Sequence, residues 1–175
     1  MRATPTIFAC LGYLMEGPAS GYDTLKAVRE GSLRPFLSAG QAAIYEGLRS
    51  LEKAGALVSE QVMQSEKPNK VVYAVTGEGK ALFSRLAARL LASDQSFLTA
   101  LLIVRFHRFL PVDQVIDALD RQEAVLEAQK RSIAGLNLSV ELAKLAPVFK
   151  DDCKKTIDAQ VRFVRDLRVA LIERN

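Results

Sequence analysis

The sequence predicts a mainly α-helical chain with one small β-wing in its N-terminal half. Three observations carry that fold class. Apolar residues recur at intervals of three and four through most of the chain, which marks one face of a helix. Two runs, residues 57–63 and 71–75, are instead rich in β-branched residues, and a polar turn with Pro68 and Asn69 separates them as in a hairpin. From residue 112 to 146 no proline interrupts the chain, and Val112, Leu119, Leu126, Ile133 and Val140 recur every seven residues. Such a repeat keeps one seam facing a partner helix. Together these give an N-terminal winged helix-turn-helix, residues 1–92, and a C-terminal long-helix dimerisation domain, residues 93–175.

Helix one is expected over residues 4–15. Thr4 can cap it, and Pro5 suits the first helical position. Ile7, Leu11, Leu14 and Met15 share a face. Arg2 ahead of this apolar run imitates a leader peptide, but the helical period favours a folded first helix. Glu16-Gly17-Pro18 stops it. Ser20 then caps helix two, with Asp23 three residues on in the manner of a capping box. Tyr22, Leu25 and Val28 are expected toward the core, and Gly31 ends the helix. Residues 32–37, with Pro35, lead to helix three over residues 38–54. Its inner face is Ile44, Leu48 and Leu51, and Gly55 suits a left-handed stop.

After the two strands Thr76 caps helix four, residues 77–91, with Leu82, Leu86, Ala87 and Leu90 buried. Ser93-Asp94 is the expected boundary. A helix over residues 96–109, carrying Phe97 and Phe106, breaks at Leu110-Pro111. The long stretch that follows is closed by Pro147. Gln122 and Gln129 interrupt its apolar seam, and Gly135 weakens it. Phe149, Cys153, Ile157, Val161, Val164 and Leu171 line a last helix over residues 148–173. Two long helices folded back on each other need somewhere to bury their seams, and a second copy is the economical answer.

The composition is ordinary for a globular chain of 175 residues: 49% hydrophobic and 25% charged. Its net charge of +4 permits a polyanionic partner. Residues 1–92 carry 11 Lys+Arg against 8 Asp+Glu, the remainder 13 against 12, so the small excess leans toward the N-terminal half. Two separated cysteines and one histidine make a zinc site within the chain unexpected. The thiols read as reduced and buried, in a cytoplasmic protein. No segment approaches a membrane span. TGEGK at 76–80 lacks the spacing of a phosphate loop. Asp117, Asp120, Asp151 and Asp152 read as surface or cap residues. No Ser or Cys has a suitably spaced base, so neither an enzyme nor a cofactor is expected.

A helix-turn-helix offers the N-terminal half of its second helix to the major groove. The corresponding residues are Ser38, Gln41, Ala42, Tyr45 and Arg49. Gln41 can pair with adenine in bidentate fashion, while Arg49 is better placed for phosphate. Alone, this face equally suits a solvated surface. The wing shifts the balance, because Lys67, Asn69 and Lys70 would bring charge to phosphates or the minor groove. In a dimer the two recognition helices would stand about one DNA turn apart. His107, between Phe106 and Arg108, admits two readings. It is part of a small-molecule site with Phe97 and Phe106, or a solvated residue beside core-facing phenylalanines.

These stretches resemble the PadR family of bacterial transcriptional regulators. The resemblance is carried by LGYLMEGPASGYD, GQAAIYEGLRSLEKAGALV and KPNKVVYAVTGEGKAL, in that order, with long helices behind. It covers residues 5–92 well and the rest in helix pattern only. It implies a dimeric repressor on a palindromic operator, released by a small aromatic or hydrophobic effector. By the same resemblance Gln41, Tyr45, Lys67, Asn69 and Lys70 match DNA-facing positions, and Tyr22 the aromatic after the first turn. Glu46-Gly47 departs from the Pro-Thr common in the family. The alternatives are a winged-helix interaction module without operator specificity and a helical enzyme.

Overall fold

The computed structural model describes residues 2–63, 70–93, 96–135 and 146–173. The chain is mainly helical with one three-stranded antiparallel sheet. Its elements run α1 (Pro5–Met15), β1 (Ala19–Ser20), α2 (Gly21–Glu30), α3 (Gln41–Lys53), β2 (Leu57–Val62), β3 (Lys70–Val75), α4 (Gly77–Ser93), α5 (Phe97–Arg105), a 3-10 turn (His107–Phe109), α6 (Val112–Ala134) and α7 (Ala146–Glu173). They divide into two compact units, Met1–Gln114 and Val115–Asn175.

In the first unit α1 is the hub. Phe8, Ala9, Cys10, Leu11, Gly12 and Leu14 are all buried, so the helix is covered on most sides rather than on one stripe. Thr4 caps it, accepting from the Ile7 amide at 3.2 Å. Phe8 stacks on Phe83 of α4 with centroids 4.4 Å apart. Phe106 meets Phe8, Tyr13 and Phe83 edge-on. A Cβ at Gly12 would fall 2.7 Å from the Phe106 ring, so this glycine makes room for it. The buried face of α4 is therefore Phe83, Leu86, Ala87 and Leu90; the expected Leu82 is only half-buried. Burial also pushes the Cys10 thiol up to about 12, which leaves it inert near neutral pH.

Phe106 explains two differences from expectation. The helix predicted over 96–109 ends at Arg105, and a 3-10 turn follows. That tightening turns Phe106 and Phe109 toward Phe83, which Phe109 meets at 6.4 Å. It also anchors α5 to the N-terminal helices, within the compact unit that ends at Gln114.

Two caps hold the helix-turn-helix. Ser20 accepts from the Asp23 amide at 3.1 Å, and the Asp23 carboxylate accepts from the Ser20 hydroxyl at 2.6 Å. Asp23 sits below the usual carboxylate range, first because of the Ser20 hydroxyl. A folded pKa below the unfolded one adds stability above the unfolded value and loses it as pH falls through the folded one. Ser20→Ala is therefore expected to cost about 1 kcal/mol at neutral pH. In urea titrations its gap from the parent chain should narrow in acid, where the hydroxyl keeps only its bond from the Asp23 amide. At the far end of α3, Gly55 takes φ +72. Its amide donates to Glu52 O and the Ala56 amide to Leu51 O, both at 2.9 Å, closing the helix as a Schellman motif.

The sheet order is β1-β3-β2. The short β1 was not expected from the sequence; it pairs Ala19 with Tyr73 and Ser20 with Val72. Thr76 caps α4, its hydroxyl accepting from the Gly79 amide at 2.9 Å and donating to Gly55 O at 2.7 Å.

In the second unit Val115, Ala118, Leu119, Gln122 and Leu126 of α6 are buried, as are Ile157, Val161 and Val164 of α7. The seam thus differs from the predicted heptad. Val112 is exposed, Ile133 half-buried, and Gln122 buried. Val140 lies outside the described residues, as does the expected continuation of α6 beyond Gly135. Pro147 opens α7 from within its first turn instead of following a helix end, a position where its missing N–H costs nothing. Arg165 joins Glu123 at 2.7 Å and Glu127 at 3.5 Å, Arg168 joins Asp120, and Lys130 joins Asp158.

Candidate nucleic-acid interface

α3 starts at Gln41, three residues later than predicted. Leu37 is buried and holds the preceding turn inward, so Gly40 becomes the N-cap in extended backbone, with no side-chain cap. Ser38 is exposed, but it precedes the helix rather than belonging to it. The first amides of a helix have no acceptor within it, and here that end carries no capping side chain to compete with a phosphate.

Ile44, Gly47, Leu48 and Leu51 face inward. Gln41, Ala42 and Arg49 are exposed on the other side, together with Glu46. Gly47 packs over α1, where a Cβ would stand 3.5 Å from Ile7 Cγ1, an ordinary contact. Gly21 is different. A Cβ there would stand 2.8 Å from Cε1 of Tyr45, so this glycine lets the half-buried Tyr45 ring lie on the start of α2. Tyr45 thus seats the two helices on each other besides bordering the outer face.

Beside that contact is an open depression of about 300 Å3, lined by Ser20, Gly21, Tyr22, Tyr45, Lys70, Val71 and Tyr73. Tyr22 is 66% exposed, contrary to its expected core position. The inner face of α2 is Gly21, Thr24, Leu25 and Val28, and Tyr22 points away from it. Lys70 is the first residue of β3, paired with Val62, rather than part of the hairpin tip. It is near enough to help lower Asp23. Burial, then Glu52, raises the Tyr73 phenol, with Arg49 opposing. Lys67 and Asn69 lie outside the described residues.

Val71 and Tyr73 were not singled out by sequence reasoning. The signal was available, since residues 71, 73 and 75 of β3 alternate to one face and pair with 61, 59 and 57 of β2. The same alternation places Ser59 beside α3, where its hydroxyl donates to Glu52.

The residues considered for a small-molecule site are placed differently. Phe97 is half-buried at the start of α5, and Phe106 is fully buried. His107 is exposed, with Nδ1 2.9 Å from Val104 O. A ring with no exposed surface offers no wall to a ligand. Among the described residues no group of three or more His, Cys, Asp or Glu side chains is placed to hold a metal, and no helix is long and apolar enough to cross a membrane.

The family model of the PadR-like transcriptional regulators matches residues 10–85. That span contains α1 from Cys10, both strands of the hairpin and the depression. Among solved structures, a transcriptional regulator of Clostridium thermocellum is 20% identical, with 51% of this chain and 84% of that one covered and a TM-score of 0.45. Bacillus subtilis PadR in complex with operator DNA is 20% identical over 93% of this chain and 97% of that one, with a TM-score of 0.42. The PadR-like regulator BC1756 of Bacillus cereus is 25% identical over 94% of each chain, with a TM-score of 0.39. No curated protein matches the chain.

Proposed function

We propose that the chain, whose residues 10–85 match the family model of the PadR-like transcriptional regulators, is a repressor binding a palindromic operator as a homodimer. The observation that carries the reading is the juxtaposition of an uncapped α3 N-terminus, exposed Gln41 and Arg49, and the tyrosine-lined depression with Lys70 at its edge. Gln41 and Ala42 would meet base edges, Arg49, Tyr22 and Lys70 the backbone, and Ser38 the approach to it. Tyr45 holds the helices at the angle this needs. Lys67 and Asn69 would add contacts to phosphates or the minor groove.

Residues 1–92 form the DNA-binding part and residues 93–175 the dimerisation part. Phe149, Phe163, Val169 and Ile172 are exposed along α7, which supports burial against a second copy. The chain acts in the cytoplasm and has no catalytic role. A small aromatic or hydrophobic effector would relieve repression by favouring a separation of the two recognition helices that does not fit the operator.

The wing supplies the test. Changing Lys67 and Lys70 together to Ala should weaken binding to operator and random duplex alike. The slope of log affinity against log salt should fall by about one per lysine lost. Affinity and slope both unchanged in a folded double variant would remove the wing from the interface.

A further inference from the structure

The segment from Glu16 to Ser32 holds β1 and the whole of α2, and its two ends meet at one side chain. Arg105, the last residue of α5, donates from Nη1 to Glu16 Oε1 at 2.8 Å and from Nε to Ser32 Oγ at 3.2 Å. Glu16 ends α1, and Ser32 follows Gly31, the C-cap of α2. The guanidinium lies over the rings of Tyr13 and Phe106, with Cζ 5.3 and 4.8 Å from their centroids. Arg108, in the 3-10 turn, adds a second donor to the same Glu16 oxygen at 2.8 Å. The neck is tight elsewhere too: a Cβ at Gly31 would meet the Tyr13 hydroxyl at 2.4 Å.

We propose that Arg105 is a positioning residue for the DNA-facing surface, clamping both ends of the loop that carries β1 and α2. This rests on the DNA-reading function proposed above. The geometry explains why a clamp matters here. Ser20 belongs at once to β1, to the cap of α2 and to the lining of the depression, and Gly21 carries the Tyr45 ring. A shift of the loop as a body would therefore move β1 and Tyr22 relative to α3 and the β3 edge, and would unseat the Tyr45 ring from Gly21. Ion pairs this exposed add little to stability, so orientation is what the cluster supplies. A planar guanidinium suits that task because its donors diverge in fixed directions.

The test compares R105Q, E16Q and the double variant of the full chain. In R105Q, amide hydrogen exchange in β1 and α2 should speed at least about fivefold while α4 is unchanged, a change of the size that remote residues produce in coupled systems. The ratio of affinity for a selected operator over a scrambled duplex, read by fluorescence anisotropy on folded protein, should also fall about fivefold. The double variant should be no worse than either single one. Unchanged exchange, or an unchanged affinity ratio, overturns the proposal. If the parent chain prefers no duplex at all, the DNA-reading function falls instead, and the exchange measurement alone then decides whether the clamp exists.

Discussion

Phe106→Ala is expected to cost the folded chain about 3–5 kcal/mol, the range for removing a fully buried phenylalanine ring. Its ring has no exposed surface and contacts rings from α1 and α4. The surroundings cannot collapse into the space, because Phe8 and Phe83 are already stacked on each other. Neighbouring His107→Ala should change stability by less than about 0.5 kcal/mol, since that side chain is exposed. Gly12→Ala approaches the same contact from the other side. Its new methyl would collide with the ring, and overpacking of this kind costs about 1–3 kcal/mol. Joining it to Phe106→Leu should recover part of that loss. Urea midpoints for the four proteins decide the matter. A loss below about 1 kcal/mol for Phe106→Ala would take the ring out of the core and reopen its candidacy as a ligand wall.

Gln41→Ala should cost sequence discrimination rather than binding as such. A bidentate pair to adenine is worth about 1–3 kcal/mol against the wrong base. Two symmetric half-sites would double the effect in a dimer. Gln41 is the first residue of α3 and exposed, and Gly40 before it makes no competing cap. Affinity for the operator should therefore fall by about one to two orders of magnitude per half-site, near the middle of that range. Affinity for random duplex should change little. Titration of both duplexes at one salt concentration checks this. A uniform loss on both would assign Gln41 to the backbone.

Much of this was legible in the sequence because local chemistry settled it. Thr4, Ser20, Gly55 and Thr76 act at helix ends as their side chains or backbone freedom predict. The order of helix, stop and two strands in residues 41–75 follows from the apolar period of α3, from Gly55 and from the β-branched runs. What sequence could not supply depended on distant partners. The turn at Phe106 is set by Phe83, and the late start of α3 by the burial of Leu37. β1 is two residues long and exists only through its pairing with β3. Tyr22 looked apolar enough for the core, but its helix had already filled that side with Thr24, Leu25 and Val28. Thr24 is the clearest omission. It is polar by composition, yet 1% exposed, because its hydroxyl donates to Ser20 O at 3.0 Å. Gly47 is buried against Ile7, so it belongs to the seat of α3 on α1.

Selection of bound duplexes from a random pool, followed by the stoichiometry of the best binder, tests the central claim most directly. Two chains should bind one duplex carrying two inverted half-sites, their centres about one helical turn or a multiple of it apart. A pool with no enriched sequence, or a single unrepeated site bound by one chain, would contradict it.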